Sequence, residues 1–494
     1  TPEGLRAGGK PILFAQAGIH AGEIDGKDAG MMFLRDLTVK GRKKDLLSRA
    51  SFLFLPIFNV DGHERFSRYG RINQRGPVES GWRTTSANLN LNRDYAKLDA
   101  PEMRCLVEAL NTWTPDLYLD LHVTDGLDHQ YDVTWSYNGP QGWSPNQAAW
   151  MDAILSPALT RDLYGMGHTP GPYVEFLKGN DPESGVRFGM ASPRYSNGYG
   201  DARHMASILV ETHSLKSYRQ RVLGTYVFLE STMRTLGGQG KSLRQAAQAD
   251  RRLRNSPLVL DWKDGPKDEV PMEFLAVRYR WVPSDISGGR RQEWLGEPVT
   301  LRVPRVVQSE PEASVTRPSA YWIPPVWTDV IDRLARHGIQ FDRIKEGREV
   351  AVTMYRIENA KLASSPFEGR VMVSGKAVPA QRAQWFSPGS VRVPTDQPLG
   401  DLAMLLLEPQ SEDSFFQWGF FHSILQKAEY AEAYVMEPLA AEMMTRDPEL
   451  AAAFQTELQD TAFAHNPRAR LDWFYRRSPY ADERWNVYPV AREE

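Results

Sequence analysis

The sequence predicts an α/β sandwich over its first half, followed by a β-rich domain and a helical C-terminal segment. Short apolar runs alternate with helix-like segments through the first half, which is the pattern of a mostly parallel or mixed sheet covered by helices. From Pro257 onward, short alternating β-branched segments separated by proline and glycine indicate strands. From Asp413 the pattern becomes helical again and carries a dense aromatic run, FFQWGFF, which we interpret as core or interdomain packing.

The length of 494 residues corresponds to between two and four domains. We predict an α/β domain over residues 1–240 and a linker over 241–256. A β-rich domain follows over residues 257–400, and a mainly helical segment over 401–494 packs on the rest. The glycine-rich run at 237–240 is expected to close the first domain.

Composition excludes several classes of protein. A net charge of −3 argues against a general role in binding nucleic acid or an anionic membrane. No apolar run has the length that a membrane-spanning helix needs. Cys105 is the only cysteine, so an intrachain disulfide is impossible. The chain begins with Thr1 rather than with a methionine, so we expect a processed or trimmed chain that has lost any signal segment.

The elements of the first half follow from apolar runs and helical spacing. Strands are predicted at residues 12–15, 51–58, 117–122 and 208–211. Helices are predicted at residues 25–37, 101–113, 148–163 and 216–236. In the second half a helix over 325–337 is expected to end at Gly338, a typical C-terminal cap.

Two candidate metal ligands follow the first strand. His20 and Glu23 stand three residues apart in HAGE, just after the strand breaks at Gly18. Imidazole nitrogen and carboxylate oxygen are ligands that zinc accepts. On its own the pair also fits a bland interpretation, in which His20 packs or caps and Glu23 is a solvated acid of the first helical turn.

His122 and Glu211 stand at the ends of two further strands. His122 would supply a third ligand and leave a fourth position open, which is the catalytic arrangement of zinc. Glu211 in ILVETHS would be held rigidly by its apolar strand and could act as a general base. The alternatives are a structural strand-end histidine and a buried glutamate paired with an arginine.

A polar segment between these strands offers donors for an anion. Asn92 and Arg93 in NLNLNRDY present amide and guanidinium groups suited to gripping a carboxylate. Arg75 lies 17 residues earlier on a loop with glycine and proline, from which it could reach a polarised carbonyl. Each arginine taken alone also fits a solvated surface role.

In this order the motifs HAGE, NLNRD, DLH and VETH resemble those of the zinc metallocarboxypeptidases of the carboxypeptidase A type, the funnelins. The resemblance covers residues 11–222. It implies a three-layer α/β/α sandwich with a mixed sheet and cleavage of the C-terminal residue from a peptide or peptide-like amide. The expected partner is a peptide with a free C-terminal carboxylate, with no nucleic acid and no membrane span.

The resemblance also implies roles for single residues. It implies that His20, Glu23 and His122 bind one zinc ion and that Glu211 acts as general base and then general acid. It further implies that Arg75 polarises the scissile carbonyl and that Asn92 and Arg93 bind the terminal carboxylate. A tyrosine that closes over the substrate is expected in PRYSNGYG, where Tyr199 is preferred over Tyr195.

Three departures from the family pattern stand out. Asn90 occupies the position of an aspartate that orients the first zinc histidine in many members, and Gly22 replaces an arginine of the digestive enzymes. The strand and helix material that precedes the family's HxxE strand is almost absent. The second half is similar to the extension of some large, exported bacterial members, so we expect a periplasmic or secreted protein.

Other functions remain open at this point. A desuccinylase- or aspartoacylase-like enzyme would share the zinc ligands and the base but would release an acyl group from an amino acid. A catalytically silent, zinc-stabilised binding module belongs to another class. In a third alternative the C-terminal half is a protein- or wall-binding module that carries the enzyme as its cargo.

Overall fold

The computed structural model describes residues 1–494, the side chain of Arg6 excepted. The strands are β1 (Ile12–Ala17), β2 (Ser51–Leu55), β3 (Leu117–Val123), β4 (Val133–Ser136), β5 (Pro170–Pro172), β6 (Glu175–Phe176), β7 (Val186–Phe188), β8 (Ala206–Thr212), β9 (Leu258–Asp264), β10 (Met272–Pro283), β11 (Arg290–Val303), β12 (Arg305–Val315), β13 (Ala320–Ile323), β14 (Asp342–Arg343), β15 (Arg348–Leu362), β16 (Val373–Phe386), β17 (Val391–Pro394) and β18 (Ala491–Glu493). The helices are α1 (Pro2–Ala7), α2 (Asp25–Leu37), α3 (Lys44–Arg49), α4 (Val60–Glu64), α5 (Pro101–Trp113), α6 (Pro145–Trp150), α7 (Ser156–Gly165), α8 (Ser196–Ala202), α9 (Tyr218–Asp250), α10 (Thr328–His337), α11 (Gly400–Leu407), α12 (Ala433–Arg446), α13 (Pro448–Glu457), α14 (Thr461–Ala464) and α15 (Pro467–Tyr475). Among the helices described, none is both long enough and apolar enough to cross a membrane.

The first half is built on one sheet with the strand order β2-β1-β3-β8-β4-β5. The strands β2, β1, β3 and β8 run parallel, whereas β4 runs antiparallel to β8 and parallel to β5. Both β1 and β3 are buried along their whole length, which explains their nearly continuous apolar sequences. The mixed sheet that the sequence predicts is confirmed.

Helices cover both faces of this sheet. Successive residues of β1 point to opposite faces. Leu13 packs in a core cluster with Phe33 of α2 and Phe228 of α9. Phe14 packs in a second cluster with Leu106 of α5. The three-layer α/β/α sandwich is therefore confirmed.

Helix α9 is longer than the sequence predicts. It continues to Asp250, so the glycine run at 237–240 lies inside it. The glycines allow a close approach, since a Cβ added at Gly240 would lie 2.6 Å from the Cβ of Pro11. The predicted helix end at residue 236 is wrong, and the linker predicted over 241–256 begins inside the helix.

The second half is β-rich, as the sequence predicts. Its main sheet has the strand order β14-β17-β13-β18-β15-β16, and β10 and β11 form a long separate hairpin. Helix α10 ends at Gly338, whose φ of +84° is the left-handed conformation expected of a cap. The last strand, β18, pairs with β13 and β15. The end of the segment predicted as mainly helical therefore belongs to this sheet.

The two halves share a sheet and a core. Strand β7 of the first half pairs with β12 of the second. Tyr118 of β3 lies in the same buried cluster as Leu402 of α11 and Phe415 of the aromatic run. Trp418 of that run is fully buried. The aromatic run therefore packs inside the protein, and the second half is a continuous part of the structure.

Candidate metal centre and substrate pocket

Three of the candidate site residues lie at one edge of the first sheet. His20 follows β1, His122 lies in β3, and Glu211 lies in β8 directly opposite His122 in the strand register. The carboxyl ends of adjacent parallel strands meet at the same edge, where α/β sheets bind their ligands. A hydrogen bond of 2.9 Å from the N–H of Glu23 to the carbonyl of His20 turns Glu23 back toward the histidine.

His20, Glu23 and His122 form a compact buried cluster whose ligand atoms all lie within 4.8 Å of one another. Nδ1 of His20 lies 2.9 Å from Oε1 of Glu23, and Nδ1 of His122 lies 3.0 Å from Oε2 of the same carboxylate. Ligands that each lie about 2.0–2.2 Å from one zinc ion have roughly these separations. Of the residues that the structure describes, these three alone form such a cluster. The donor set and its spacing fit zinc.

The second ring nitrogen of each histidine lies close to a side-chain oxygen, through a hydrogen bond at His20 and at ion-pair distance at His122. Nε2 of His20 donates to Oδ1 of Asn90 at 3.0 Å, and Nε2 of His122 lies 2.9 Å from Oδ2 of Asp120. Both Nδ1 atoms are left facing Glu23, which is the ring orientation that metal binding requires. Burial lowers the pKa of His122, but Asp120 and Glu23 raise it more, so that this pKa lies well above its ordinary value.

Arg71 holds the carboxylate of the cluster, and the sequence analysis missed it. Its Nη2 lies 2.8 Å from Oε1 of Glu23 and 3.0 Å from Oδ1 of Asp125. Burial raises the pKa of Glu23, but His20 and Arg71 lower it more, to well below its ordinary value. Gly22 makes room for this arginine, because a Cβ there would lie 3.2 Å from the Cβ of Arg71. The glycine beside Glu23 was the only sequence signal of this approach.

Glu211 is buried at the edge of the same cavity, with 8% of its surface exposed. Within the described structure, Oε2 of Glu211 has no hydrogen-bond partner. Burial raises the pKa of Glu211 to about 8, with His122 opposing the rise and Glu23 adding to it. An unpartnered buried carboxylate with a raised pKa has the properties of a general base.

A cavity of about 450 Å³ opens beside the cluster, and Asn92 and Arg93 line it. Both belong to a short 3₁₀ turn, Leu91–Arg93, which Asn90 caps by accepting from the N–H of Asn92 at 2.9 Å. Asn90 thus orients both a ring of the cluster and the turn that carries Asn92.

The guanidinium of Arg93 is open to the cavity. Its Nη1 donates to the carbonyl of Asn92 at 2.7 Å. Its carbon lies 4.6 Å from the centre of the Tyr195 ring. Asp94 instead accepts hydrogen bonds from buried Lys97 and from its own loop. In the part of the chain that the structure describes, no carboxylate pairs with Arg93, so its fork is available for a ligand.

Arg75 does not line the cavity and is exposed on its loop. Arg83 lines the cavity instead, with Nη1 lying 3.7 Å from Oε1 of Glu23. A hydrogen bond of 2.7 Å from the N–H of Trp82 to the carbonyl of Gly62 folds this loop back over the site. The fold of the loop therefore brings Arg83, and not the expected Arg75, to the cavity.

Tyr199 is also away from the cavity. It is fully buried, and its hydroxyl donates to Nδ1 of His337 at 2.8 Å. Tyr195 lines the cavity. It precedes α8 with extended backbone angles (φ −102°, ψ 155°), so its side chain leaves in another direction from that of Tyr199 inside the helix. Tyr199, the tyrosine preferred from the sequence, therefore lies away from the cavity, and Tyr195, the alternative, lies at it.

Comparisons with known proteins agree with this geometry. Residues 1–149 match the family model described as zinc carboxypeptidase, Peptidase_M14. The chain is 22% identical over 438 residues to carboxypeptidase 2 of Trichophyton rubrum, covering 82% of this chain and 73% of that protein. It is also 22% identical over 425 residues to carboxypeptidase 2 of Trichophyton tonsurans, with the same coverage.

Solved structures that are similar to the chain include two metallo-carboxypeptidases. One is from Pseudomonas aeruginosa in complex with (2-guanidinoethylmercapto)succinic acid, at 16% identity and a TM-score of 0.34, covering 47% of this chain and 58% of that one. The other is from Burkholderia cenocepacia, at 16% identity and a TM-score of 0.32, covering 46% and 57%. The chain therefore spans little more than half the length of these solved structures.

Proposed function

We propose that this chain, which belongs to the zinc carboxypeptidase family, removes the C-terminal residue from a peptide or a peptide-like amide. The observation that carries the proposal is the position of Arg93. Its guanidinium lines the same cavity as His20, Glu23 and His122 and has no carboxylate partner among the described residues. A fixed cation beside a metal cluster suits a substrate whose free carboxylate lies one residue from the bond to be cleaved.

His20, Glu23 and His122 would hold one zinc ion. When bound there, zinc acts as a Lewis acid and lowers the pKa of a water molecule toward neutrality. Asn90 keeps the His20 ring in the orientation for binding through its 3.0 Å contact, and Arg71 holds the carboxylate of Glu23.

Glu211 acts as the general base and then the general acid. Its carboxylate takes a proton from the attacking water and returns it to the amine of the departing residue. Burial raises the pKa of Glu211, which strengthens the ionised carboxylate as a proton acceptor, and a cation at the neighbouring cluster would favour that ionised form. The apolar strand β8 keeps the carboxylate rigid and partly dry.

Arg83 polarises the scissile carbonyl. Its guanidinium reaches the cavity at the side of Glu23, where it can donate to the carbonyl oxygen as negative charge develops there. A donor aimed at that charge stabilises the transition state more than the bound substrate.

Asn92 and Arg93 bind the free carboxylate of the substrate. The planar fork of Arg93 donates two parallel hydrogen bonds, and the amide of Asn92 adds a donor from a second direction. The ring of Tyr195 lies against the guanidinium and limits its rotation. Together these groups fix the terminal residue so that its amide bond lies at the cluster.

The test is a panel of N-blocked dipeptides with free or amidated C-termini, together with N-acyl amino acids, with and without a zinc chelator. We expect hydrolysis of the free dipeptides only, its loss with the chelator and its return with added zinc. Equal cleavage of free and amidated peptides would indicate an endopeptidase. Preference for N-acyl amino acids would favour the deacylase alternative, and tight zinc binding without any turnover would favour the silent binding module.

We also propose that the protein acts outside the cytoplasm. The support is the resemblance of the second half to extensions of large exported family members. Fractionation of cells that produce the protein from its complete gene tests this, and recovery in the cytoplasmic fraction alone would contradict it.

A further inference from the structure

We propose that the C-terminal half is a working part of the active site, with Glu368 as the residue that positions the zinc-binding and carboxylate-binding groups. Glu368 lies at the tip of the hairpin formed by β15 and β16, far from the metal cluster in the sequence. The proposal rests on the function proposed above and adds a role for the second half of the chain.

The contact runs from Glu368 to the site through one residue. Oε2 of Glu368 accepts a hydrogen bond from the N–H of Asn90 at 2.8 Å. The side-chain oxygen of Asn90 in turn accepts from Nε2 of His20 and from the N–H of Asn92. A shift of Asn90 would therefore move a metal ligand and the carboxylate clamp at the same time.

The conformation of Glu368 indicates that its side chain is needed there. Phe367 and Arg370 exchange backbone hydrogen bonds of 2.8 and 3.1 Å around a two-residue turn. Both turn residues are left-handed, with φ of +48° at Glu368 and +81° at Gly369. Such turns favour Asn-Gly, and a glutamate in this conformation is strained. A strained residue that persists at such a position points to a function of its side chain.

A second group of contacts fixes where the tip of the hairpin lies. Nε and Nη2 of Arg370 donate to the two carboxylate oxygens of Asp99 at 2.6 and 2.7 Å. Arg333 of α10 donates to the same carboxylate at 3.1 Å. A planar two-point contact of this kind sets distance and orientation together. The tip is thereby held against the loop that follows the Asn92–Arg93 pair.

The C-terminal half also contacts the segment that carries Tyr195, a second part of the cavity wall. The carboxylate of buried Asp413 accepts from the backbone N–H of Arg194 at 2.8 Å and from its Nε at 2.7 Å. The guanidinium of Arg194 lies 5.3 Å from the Trp418 ring and 5.9 Å from the Phe367 ring. Because Arg194 directly precedes Tyr195, this contact restricts the tyrosine that lies on Arg93.

Two substitutions at Glu368 distinguish the effect of its contact with Asn90 from an effect on folding. Glu368→Asn gives the turn its favoured residue but shortens the side chain by one C–C bond, about 1.5 Å, so the contact to Asn90 is lost. Glu368→Gln keeps the length and still accepts the hydrogen bond. Glu346→Asn, at an exposed glutamate near the base of the hairpin, is the matched control.

The measurements are the zinc dissociation constant by competition with a chelator, kcat and KM for a free N-blocked dipeptide, and the melting temperature. For Glu368→Asn we expect zinc to dissociate about three- to tenfold more readily. We expect kcat/KM to fall about ten- to a hundredfold, with no loss of melting temperature. Glu368→Gln should stay within about threefold of the parent, and Glu346→Asn should match it.

Unchanged zinc affinity and unchanged kcat/KM in Glu368→Asn would overturn the inference and leave the proposed function intact. A parent protein that hydrolyses none of the dipeptides would instead overturn the proposed function. In that case weaker zinc binding by Glu368→Asn would still support the link from the hairpin to His20, and equal zinc binding would reject it.

Discussion

The guanidinium carbon of Arg93 lies 4.6 Å from the centre of the Tyr195 ring, and both residues line the cavity that the metal cluster also lines. The ring restricts the rotation of the guanidinium, which has no carboxylate partner among the described residues. A carboxylate that enters the cavity meets a donor fork that is already oriented, which reduces the entropy lost on binding.

Arg93→Lys tests the carboxylate clamp. Lysine keeps the charge but loses the planar fork, a change worth on the order of 1.5–3 kcal/mol when the contact is partly desolvated. We expect kcat/KM for free dipeptides to fall about ten- to a hundredfold. Amidated peptides should hardly distinguish the variant from the parent. Arg161→Lys, at an exposed arginine, is the control, and an equal loss with both substrates would contradict the assignment.

Glu211→Gln tests the general base. The amide keeps the shape of the carboxylate but cannot accept a proton from water, so kcat should fall about a hundred- to ten-thousandfold. The zinc dissociation constant should change little, because Glu211 is not a member of the ligand cluster. Steady-state kinetics and chelator competition on the same preparation measure both, and an unchanged kcat would mean that the base lies elsewhere.

Arg83→Ala and Arg75→Ala form a matched pair. Arg83 lines the cavity, whereas the side chain of Arg75 is exposed outside it. Loss of a donor to the developing oxyanion typically lowers kcat about a hundred- to a thousandfold, and we expect this for Arg83→Ala. Arg75→Ala should retain the activity of the parent. The reverse result would restore the assignment to Arg75 that the family resemblance implies.

The positions that sequence predicted well are those that a strand determines. His20, His122 and Glu211 each stand at or after the end of an apolar run, and adjacent parallel strands bring such ends together. The α/β/α class follows from the same alternation of strands and helices. The apolar runs of the sequence are therefore enough to predict which residues come together in the cluster.

The site residues that the sequence did not predict lie on loops, and their positions depend on how each loop folds back over the cavity. Arg83 reaches the cavity because its loop folds back on Gly62. The hydrophobic periodicity of the sequence does not predict the conformation of a loop. Tyr195 differs from Tyr199 only by standing before the first turn of α8. The contact from Glu368 to Asn90 joins residues 278 positions apart, which only the assembled structure reveals.

Asn90→Ala tests the orientation of the first histidine. Removing the acceptor frees Nε2 of His20 and uncaps the turn that carries Asn92. Loss of a residue that orients a metal ligand typically costs about ten- to a hundredfold in metal affinity, and we expect this in chelator competition. Asn180→Ala, at an exposed position, is the control. Equal zinc affinity in both variants would show that the ring is held by other contacts.

Asp99 makes the stability of the protein depend on pH in acid. Burial raises the pKa of Asp99, but Arg370 and Lys97 lower it more, to about 2. An aspartate in an unfolded chain has a pKa of about 3.9. The folded state therefore binds the proton less readily than the unfolded state. The stabilisation from Asp99 is complete above about pH 4 and is lost as the pH falls through about 2.

The size of this effect follows from the shift in the pKa of Asp99, reduced for partial exposure to solvent. We expect about 1–2 kcal/mol. Urea unfolding at pH 6, 4 and 3 measures it as the difference in unfolding free energy between the parent and Asp99→Asn, with Asp285→Asn as the exposed control. Between pH 4 and pH 3 the parent and the control should lose stability relative to Asp99→Asn, because the asparagine cannot titrate. Parallel loss in all three proteins would mean that the contact between Asp99 and Arg370 does not stabilise the folded state.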